Sequence, residues 1–240
     1  MKSDLPKVLA PLNSEPMIRH LVKSVKWSGV DERPVIVVSP ANKNLIKKAL
    51  RNFNCRYALQ KEQLGTGHAL SSARRLAAGA ERIIVLYGDH PFLKKETIAK
   101  MADVKKKVLT LATVKVKDFK SWRKNFFHWG RIIRKGGKIT EIVEFKDASD
   151  REKNIKELNP ALYSFDAEWL WKNLRKLKNN NKQKEYYLTD LIKFAFQDGL
   201  KIGSLEINAR EAVGINSREE LEAAEGLLNN PISPLCIKGV

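Results

Sequence analysis

The stretch Ile83-Ile84-Val85-Leu86-Tyr87-Gly88-Asp89 decides the fold. Five consecutive apolar or aromatic residues predict the strongest strand in the chain. The run stops on Gly88-Asp89, so an acid stands at the strand's carboxyl end. In open α/β sheets that edge is where ligands bind. Gly88 lets a ligand approach the backbone, and Asp89 suits Mg²⁺, which takes carboxylate oxygens together with substrate phosphates. Position alone leaves a second role open, an Asp that caps the following turn.

The same alternation of strand and helix extends outward from this run, which is the α/β signature. Upstream, Ser14-Glu15-Pro16 opens a helix with Met17, Leu21 and Val25 on one face, closed by Gly29. Val35-Ile36-Val37-Val38 reads as a strand covered on both faces. A helix over 42–50 and a short strand over 56–59 follow. Gln63-Leu64-Gly65-Thr66-Gly67 then leads into a helix over 68–78. Two glycines at such a turn expose N–H groups to anions and base edges, although an ordinary tight turn has the same composition. Downstream come a helix over 95–102 and a strand over 108–116. A hairpin of 130–134 and 138–145 turns on Gly136-Gly137. A strand over 162–165 precedes helices over 167–177 and 186–196, separated by the polar loop 178–184. Ser217-x-x-Glu220 caps a last helix to about residue 228, and 229–240 reads as a tail. No linker divides the chain.

Composition narrows the function classes. With 43% hydrophobic residues over 240 positions the chain is globular. No apolar run approaches the ~20 residues of a membrane span, and the N-terminus lacks a signal core, so a cytoplasmic protein without membrane insertion is expected. Cys55 and Cys236 are far apart and without metal spacing, as in a reducing compartment. Forty-five Lys and Arg against 27 Asp and Glu give a net charge of +18. Such an excess favours polyanionic partners, although a lysine-rich soluble surface explains it as well. No zinc site, hydrolase triad or Walker loop is spelled out. Lys7, behind Pro6 in an extended segment, and Glu144 and Asp147 at a strand end are further polar candidates.

Taken in order, these pieces resemble the uridylyltransferase domain of bacterial N-acetylglucosamine-1-phosphate uridylyltransferases. The resemblance is carried by Leu5-Pro6-Lys7-Val8-Leu9, Gln60-Lys61-Glu62-Gln63-Leu64-Gly65-Thr66-Gly67, Val85-Leu86-Tyr87-Gly88-Asp89, Gly130-Arg131-Ile132, Ile142-Val143-Glu144-Phe145-Lys146-Asp147, Glu185-Tyr186-Tyr187-Leu188-Thr189-Asp190 and Val213-Gly214-Ile215-Asn216. It implies a Rossmann-like three-layer α/β/α fold, with a mixed, mostly parallel sheet and an appended hairpin lobe over the sugar. It also implies Mg²⁺-dependent transfer of UMP from UTP to N-acetylglucosamine 1-phosphate or a related sugar 1-phosphate, with a non-catalytic nucleotide-sugar-binding protein as the alternative. By the same resemblance Lys7 contacts phosphate, and Gln60, Gly65, Thr66, Tyr87 and Gly88 surround the nucleotide. Asp89 and Asn216 hold the metal, and Gly130, Glu144 and Asn159 hold the sugar.

Three departures accompany the resemblance. The family begins with a central strand and a glycine-rich loop ending in Met, and Met1 stands where that Met would be. The expectation is an internal methionine in a longer natural protein, a domain over 1–228 truncated at its N-terminus. Asn159-Pro160-Ala161 replaces the usual Asn-Thr-Gly, and Trp129 replaces a Tyr. An insertion before Gly130 interleaves Phe119, Trp122, Phe126, Phe127 and Trp129 with Lys117, Lys120, Arg123 and Lys124. Such a pattern can stack on single-stranded nucleic acid; packing on the hairpin lobe is the favoured reading, so nucleic acid is possible but not favoured. The absence of hexapeptide repeats implies no acetyltransferase activity. Nothing in the pattern names an oligomeric state.

Overall fold

The computed structural model of the chain describes residues 5–104 and 107–229. The expected tail beyond Asn229, Met1 and Cys236 lie outside the described residues. A 3-10 turn (Lys7–Leu9) leads to the two-residue strands β1 (Pro11–Leu12) and β2 (Glu15–Pro16). Helix α1 (Met17–Trp27) follows Pro16 and buries Met17, Leu21 and Val25 as the 3.6-residue spacing requires. Gly29, at φ +72°, carries the chain out in the left-handed conformation that glycine adopts without strain. Strand β3 (Val35–Val38), helix α2 (Lys43–Ala49) and strand β4 (Arg56–Leu59) make a parallel pair with its crossover.

Helix α3 (Thr66–Ala73) begins two residues earlier than the sequence pattern predicts and ends earlier, in turns, while β5 (Arg82–Val85) stops before Leu86. After α4 (Lys95–Ala102), strand β6 (Leu109–Lys115) is buried at every position except Lys115. The hairpin is β7 (Arg131–Lys135) and β8 (Lys138–Val143), with Gly136 and Gly137 both at positive φ, as a two-residue turn demands. A one-turn helix α5 (Asp150–Lys153), strands β9 (Glu157–Leu158) and β10 (Tyr163–Asp166), helices α6 (Ala167–Leu174) and α7 (Asp190–Gln197), strand β11 (Ile202–Glu206) and helix α8 (Arg218–Asn229) complete the chain.

The main sheet runs β5-β10-β6-β9-β7-β8, with β11 parallel on the other edge of β6. Strand β10 is antiparallel to both β5 and β6, so those two share one direction. Helices pack around the sheet: α6 and α7 bury Leu170, Leu191 and Ile192 against Leu111, Tyr163 and Phe165, while α1 and α4 bury Leu21, Ile98 and Met101 against Ala112 and Val114. The α/β/α fold expected from the sequence is present, with the hairpin lobe appended at β9, but the expected mostly parallel sheet is not: among the described pairs of the main sheet only β6 with β11 is parallel, because β9 and β10 return antiparallel along β6.

Two further sequence expectations change. Residues Tyr186–Thr189 are not helical; they hydrogen-bond to the loop before α3, and α7 starts at Asp190. Strand β3 is covered less than its β-branched run implies, with Val35, Ile36 and Val37 only half-buried.

Between β9 and β10 the chain departs from the ladder. Ala161 there has φ +56°, a conformation that costs a residue with a Cβ about 1–2 kcal/mol. Glycine removes that cost and returns about 0.5–1 kcal/mol as unfolded-chain entropy. Ala161→Gly is therefore expected to stabilise the protein by up to about 1 kcal/mol, seen as a higher urea midpoint; an unchanged or lower midpoint would contradict the strain.

Candidate active site

Three groups of side chains meet at the carboxyl end of β5. The first is ionic. Pro6 leads Lys7 into the 3-10 turn, and Lys7 Nζ donates to Asp89 Oδ2 at 2.6 Å and to Asn216 Oδ1 at 2.5 Å. Asp89 is buried, and its carbonyl accepts from the Ile215 N–H at 3.0 Å, which ties the segment before α8 to the end of β5. The cap of α8 then fixes Asn216. Glu220 Oε2 accepts from the N–H of Asn216 at 2.5 Å and of Ser217 at 3.2 Å, while Ser217 Oγ accepts from the Glu220 N–H at 3.1 Å. The capping box legible in the sequence is thus also the mount of Asn216.

His90 supports the far side of Asp89, with Nε2 3.7 Å from Oδ1. A Cβ on Gly214 would stand 3.1 Å from that ring nitrogen, so glycine admits the imidazole. Burial pushes the His90 pKa down, which favours the neutral ring. The Asp89 and Asn216 oxygens share the Lys7 ammonium. Two hard oxygen donors converging on a positive charge, one anionic and one an amide, fit Mg²⁺ completed by substrate phosphates.

The second group is the loop before α3. Gly65 has φ +99°, and a Cβ there would lie 2.8 Å from Glu185 Cβ and 2.9 Å from the Tyr186 N and O. Only glycine fits between these backbones. The Tyr186 N–H donates to Leu64 O at 2.9 Å, the Gly67 N–H to Tyr186 O at 2.8 Å, and the Leu188 N–H to Thr66 Oγ1 at 3.0 Å. Gln60 Nε2 donates to Gly65 O at 3.3 Å and lies 3.1 Å from His68 Nδ1.

The third group lies under the hairpin. A Cβ on Gly130 would stand 3.5 Å from Glu144 Oε2 and 3.6 Å from Asn159 Cβ, which places the three expected sugar residues side by side. The Asn159 N–H donates to Gly130 O at 3.0 Å, and its Nδ2 donates to Tyr163 Oη at 2.6 Å. Thr189 Oγ1 donates to Glu144 Oε1 at 3.1 Å. Burial pushes the Glu144 carboxyl above its ordinary range, against the opposing hydrogen bond from Thr189. Asp190 is raised by burial too, and burial first, with Asp147 and Glu144 nearby, pushes the Tyr187 phenol up to about 12.

Tyr87 joins the groups. Its side chain hydrogen-bonds Thr66, and its hydroxyl feels the charges of Glu144 and Asp89. All eleven sequence-predicted site residues thus fall in one region; Gly88 lies beneath Val8, whose Cγ1 a Cβ on that glycine would meet at 3.3 Å. Sequence reasoning missed His90, Tyr163, Thr189 and Glu220 as supports. Glu220 carried a signal as half of the capping box, and Thr189 as part of the Glu185–Asp190 motif.

The aromatic insertion packs against the lobe as expected. Phe126 is fully buried, and among its five aromatics only Phe127 is exposed. Arg131, fully buried, lies under the rings of Phe119, Phe127 and Phe145 and donates to the carbonyls of Phe127, Trp129 and Lys153.

Residues 1–187 match the MobA-like NTP transferase domain. The bifunctional protein GlmU of Clostridium botulinum is 36% identical over 97% of this chain and 50% of its own length. That of Clostridium kluyveri is 38% identical over 98% and 51%. The chain therefore spans about half the length of the curated relatives it matches. Among solved structures, one assigned as a glucose-1-phosphate thymidylyltransferase from Bacillus anthracis, crystallised with sucrose, superposes with a TM-score of 0.73 at 18% identity, over 94% of this chain and 87% of its own. A UDP-glucose pyrophosphorylase complexed with UDP-glucose gives 0.68 at 18% identity, over 93% and 90%. These two likenesses establish the fold.

The raised Glu144 carboxyl has a sign that can be checked. A folded-state pKa above the unfolded value near 4.5 means a burial penalty present at neutral pH and relieved as pH falls through that window. Glu144→Gln keeps an acceptor for Thr189 and removes the charge. Its stability relative to the parent should be highest above neutrality and shrink towards pH 4.5 in urea titrations; a difference that grows on acidification would show a carboxylate stabilised by its surroundings.

Proposed function

Because the chain belongs to the MobA-like NTP transferase domain family, we propose that it transfers UMP from UTP to N-acetylglucosamine 1-phosphate, releasing pyrophosphate and UDP-N-acetylglucosamine. The observation that carries the reading is the convergence of Lys7, Asp89 and Asn216 beside Tyr87, between the glycine loop and the Gly130–Glu144–Asn159 cluster. The names of the relatives and neighbours support sugar-nucleotide chemistry, and the resemblance of the motifs supports this sugar and this base.

The chemistry needs no general base. A phosphate oxygen of the sugar 1-phosphate, already anionic at neutral pH, forms a bond to the α-phosphorus of UTP. The bond from that phosphorus to its bridging oxygen breaks, and pyrophosphate leaves with the electron pair. Side chains contribute position and charge. Lys7 follows a proline-stiffened segment, so its ammonium reaches the phosphates from a fixed backbone. Gln60, Gly65 and Thr66 offer hydrogen-bonding groups to the uracil edge. Glu144, half-held by Thr189, turns its other oxygen towards Gly130, where a sugar hydroxyl or amide would donate to it. Asp89 and Asn216 would hold Mg²⁺, which supplies charge neutralisation at the phosphates. Synthesis of a nucleotide-activated sugar for envelope polymers is the role this reaction would serve.

The test is pyrophosphate release by the 240-residue chain given UTP, N-acetylglucosamine 1-phosphate and Mg²⁺. Release is expected, and Asp89→Ala is expected to lower it by about 10²–10³-fold, the scale of losing one charge-stabilising contact. No release by the parent, with UTP still bound, would replace the enzyme by a nucleotide-binding protein.

A further inference from the structure

The two oxygens proposed to hold Mg²⁺ are bound by a cation of the protein itself. Lys7 Nζ donates to Asp89 Oδ2 at 2.6 Å and to Asn216 Oδ1 at 2.5 Å. An ammonium has three N–H donors and no acceptor, so two of its three bonds end on these oxygens. The other carboxylate oxygen, Asp89 Oδ1, faces the His90 ring, 3.7 Å from Nε2. Mg²⁺ takes oxygen ligands at about 2.0–2.1 Å. An ion bound to the same two oxygens would stand against Nζ, and two cations at that range repel strongly. The pair of oxygens therefore accepts the ammonium or a metal, and not both at once.

The oxygens and the ammonium are mounted differently. Asp89 is buried, and its backbone carbonyl accepts from the Ile215 N–H at 3.0 Å. Asn216 is set by Glu220, whose Oε2 accepts from the Asn216 N–H at 2.5 Å. Neither mount passes through Lys7. The Lys7 side chain is 42% exposed, against 11% for Asp89, and its ammonium hangs on a flexible four-carbon stem. When the contact breaks, the lysine leaves and the oxygens stay.

Charge decides when it breaks. One carboxylate and one amide oxygen make a weak site for Mg²⁺, which dehydrates reluctantly. Lys7 neutralises that carboxylate, so a bare divalent ion would have to displace the ammonium and leave it without this partner. A polyphosphate changes the balance. It offers the ammonium charged oxygen acceptors and brings further anionic oxygens to the metal.

We propose, resting on the reading that Asp89 and Asn216 are the metal ligands, that Lys7 is the resident cation of that site. It excludes a divalent ion until a nucleoside triphosphate draws the ammonium onto its phosphates. Metal and nucleotide then enter together, and the lysine passes from carboxylate to phosphate in the same exchange. Loss of Lys7 tightens metal binding in the absence of nucleotide, the opposite of what losing a group that helps to build the site would do.

Mn²⁺, which shares the preference of Mg²⁺ for oxygen and carries a paramagnetic signal, would be titrated into the 240-residue chain without nucleotide and followed by electron paramagnetic resonance. Lys7→Met is expected to bind Mn²⁺ at least about tenfold more tightly than the parent, the scale on which groups around a metal ligand act. Adding Asp89→Ala to Lys7→Met should abolish the gain. Arg218→Met removes an exposed charge close to Asn216 in sequence, and should shift the affinity by less than about twofold because solvent screens that charge. A second measurement uses the unaltered chain. High Mn²⁺ should speed acetylation of the Lys7 amine at least about threefold relative to the exposed Lys172, read by mass spectrometry. Equal or weaker binding by Lys7→Met, an equal gain in Arg218→Met, or a Lys7 acetylation rate that Mn²⁺ does not move would overturn the proposal while leaving Asp89 and Asn216 as metal ligands. Mn²⁺ binding to none of these proteins, or binding that survives Asp89→Ala, would overturn the metal reading together with it.

Discussion

The site depends on how one strand crosses from β6 to the hairpin. Leu158 pairs with Val114 and Tyr163 with Leu111, so five steps along β9 and β10 oppose three along β6. The two extra residues form a bulge, and a bulge re-aims side chains and bends its strand. Asn159 holds it. Its Oδ1 accepts from the Ala161 N–H at 3.0 Å, its Nδ2 binds Tyr163, and its backbone N–H reaches Gly130. Below the bulge β10 completes the sheet beside β5, and above it β9 receives β7. The lobe with Glu144 therefore stands over the same sheet edge that carries Asp89.

A second constraint is electrostatic. A chain of net charge +18 gathers Asp89, Glu144, Asp147 and Asp190 around one cleft. Burial raises Glu144 and Asp190, so this acidic lining is costly in the folded protein. Lys7 offsets the charge at Asp89 through the ion pair between them. Arg131 solves a different problem. It is buried with carbonyls and aromatic faces in place of a carboxylate, and hydrogen bonds with cation–π contacts offset its desolvation. In doing so it fastens the aromatic insertion to the hairpin. That is why those rings, the exposed Phe127 apart, pack at least partly inward.

Much of the fold was legible because its signals are local. The apolar run ending at Asp89, the helix begun after Pro16, the Gly136-Gly137 turn and the Ser217–Glu220 box each depend on residues a few positions apart. The misplaced boundaries share one cause. Tyr186–Thr189 has helical spacing, yet its backbone bonds Leu64, Gly67 and Thr66 across more than a hundred positions, and those bonds outweigh a local preference. Strand β11 escaped notice because its pattern, Ile-Gly-Ser-Leu-Glu, is weak; it is a strand because β6 offers a free parallel edge.

Motif order determined the family and the eleven candidate residues, since short motifs record chemistry that tolerates little change of side chain. Tertiary structure decided what those residues do to one another: that Lys7 bridges Asp89 and Asn216, that Thr189 holds Glu144, and that Tyr87 links three groups. Such contacts depend on register, bulges and helix caps that bring distant segments within about 3 Å, the range of a hydrogen bond, and no pattern of neighbours along a chain encodes that distance.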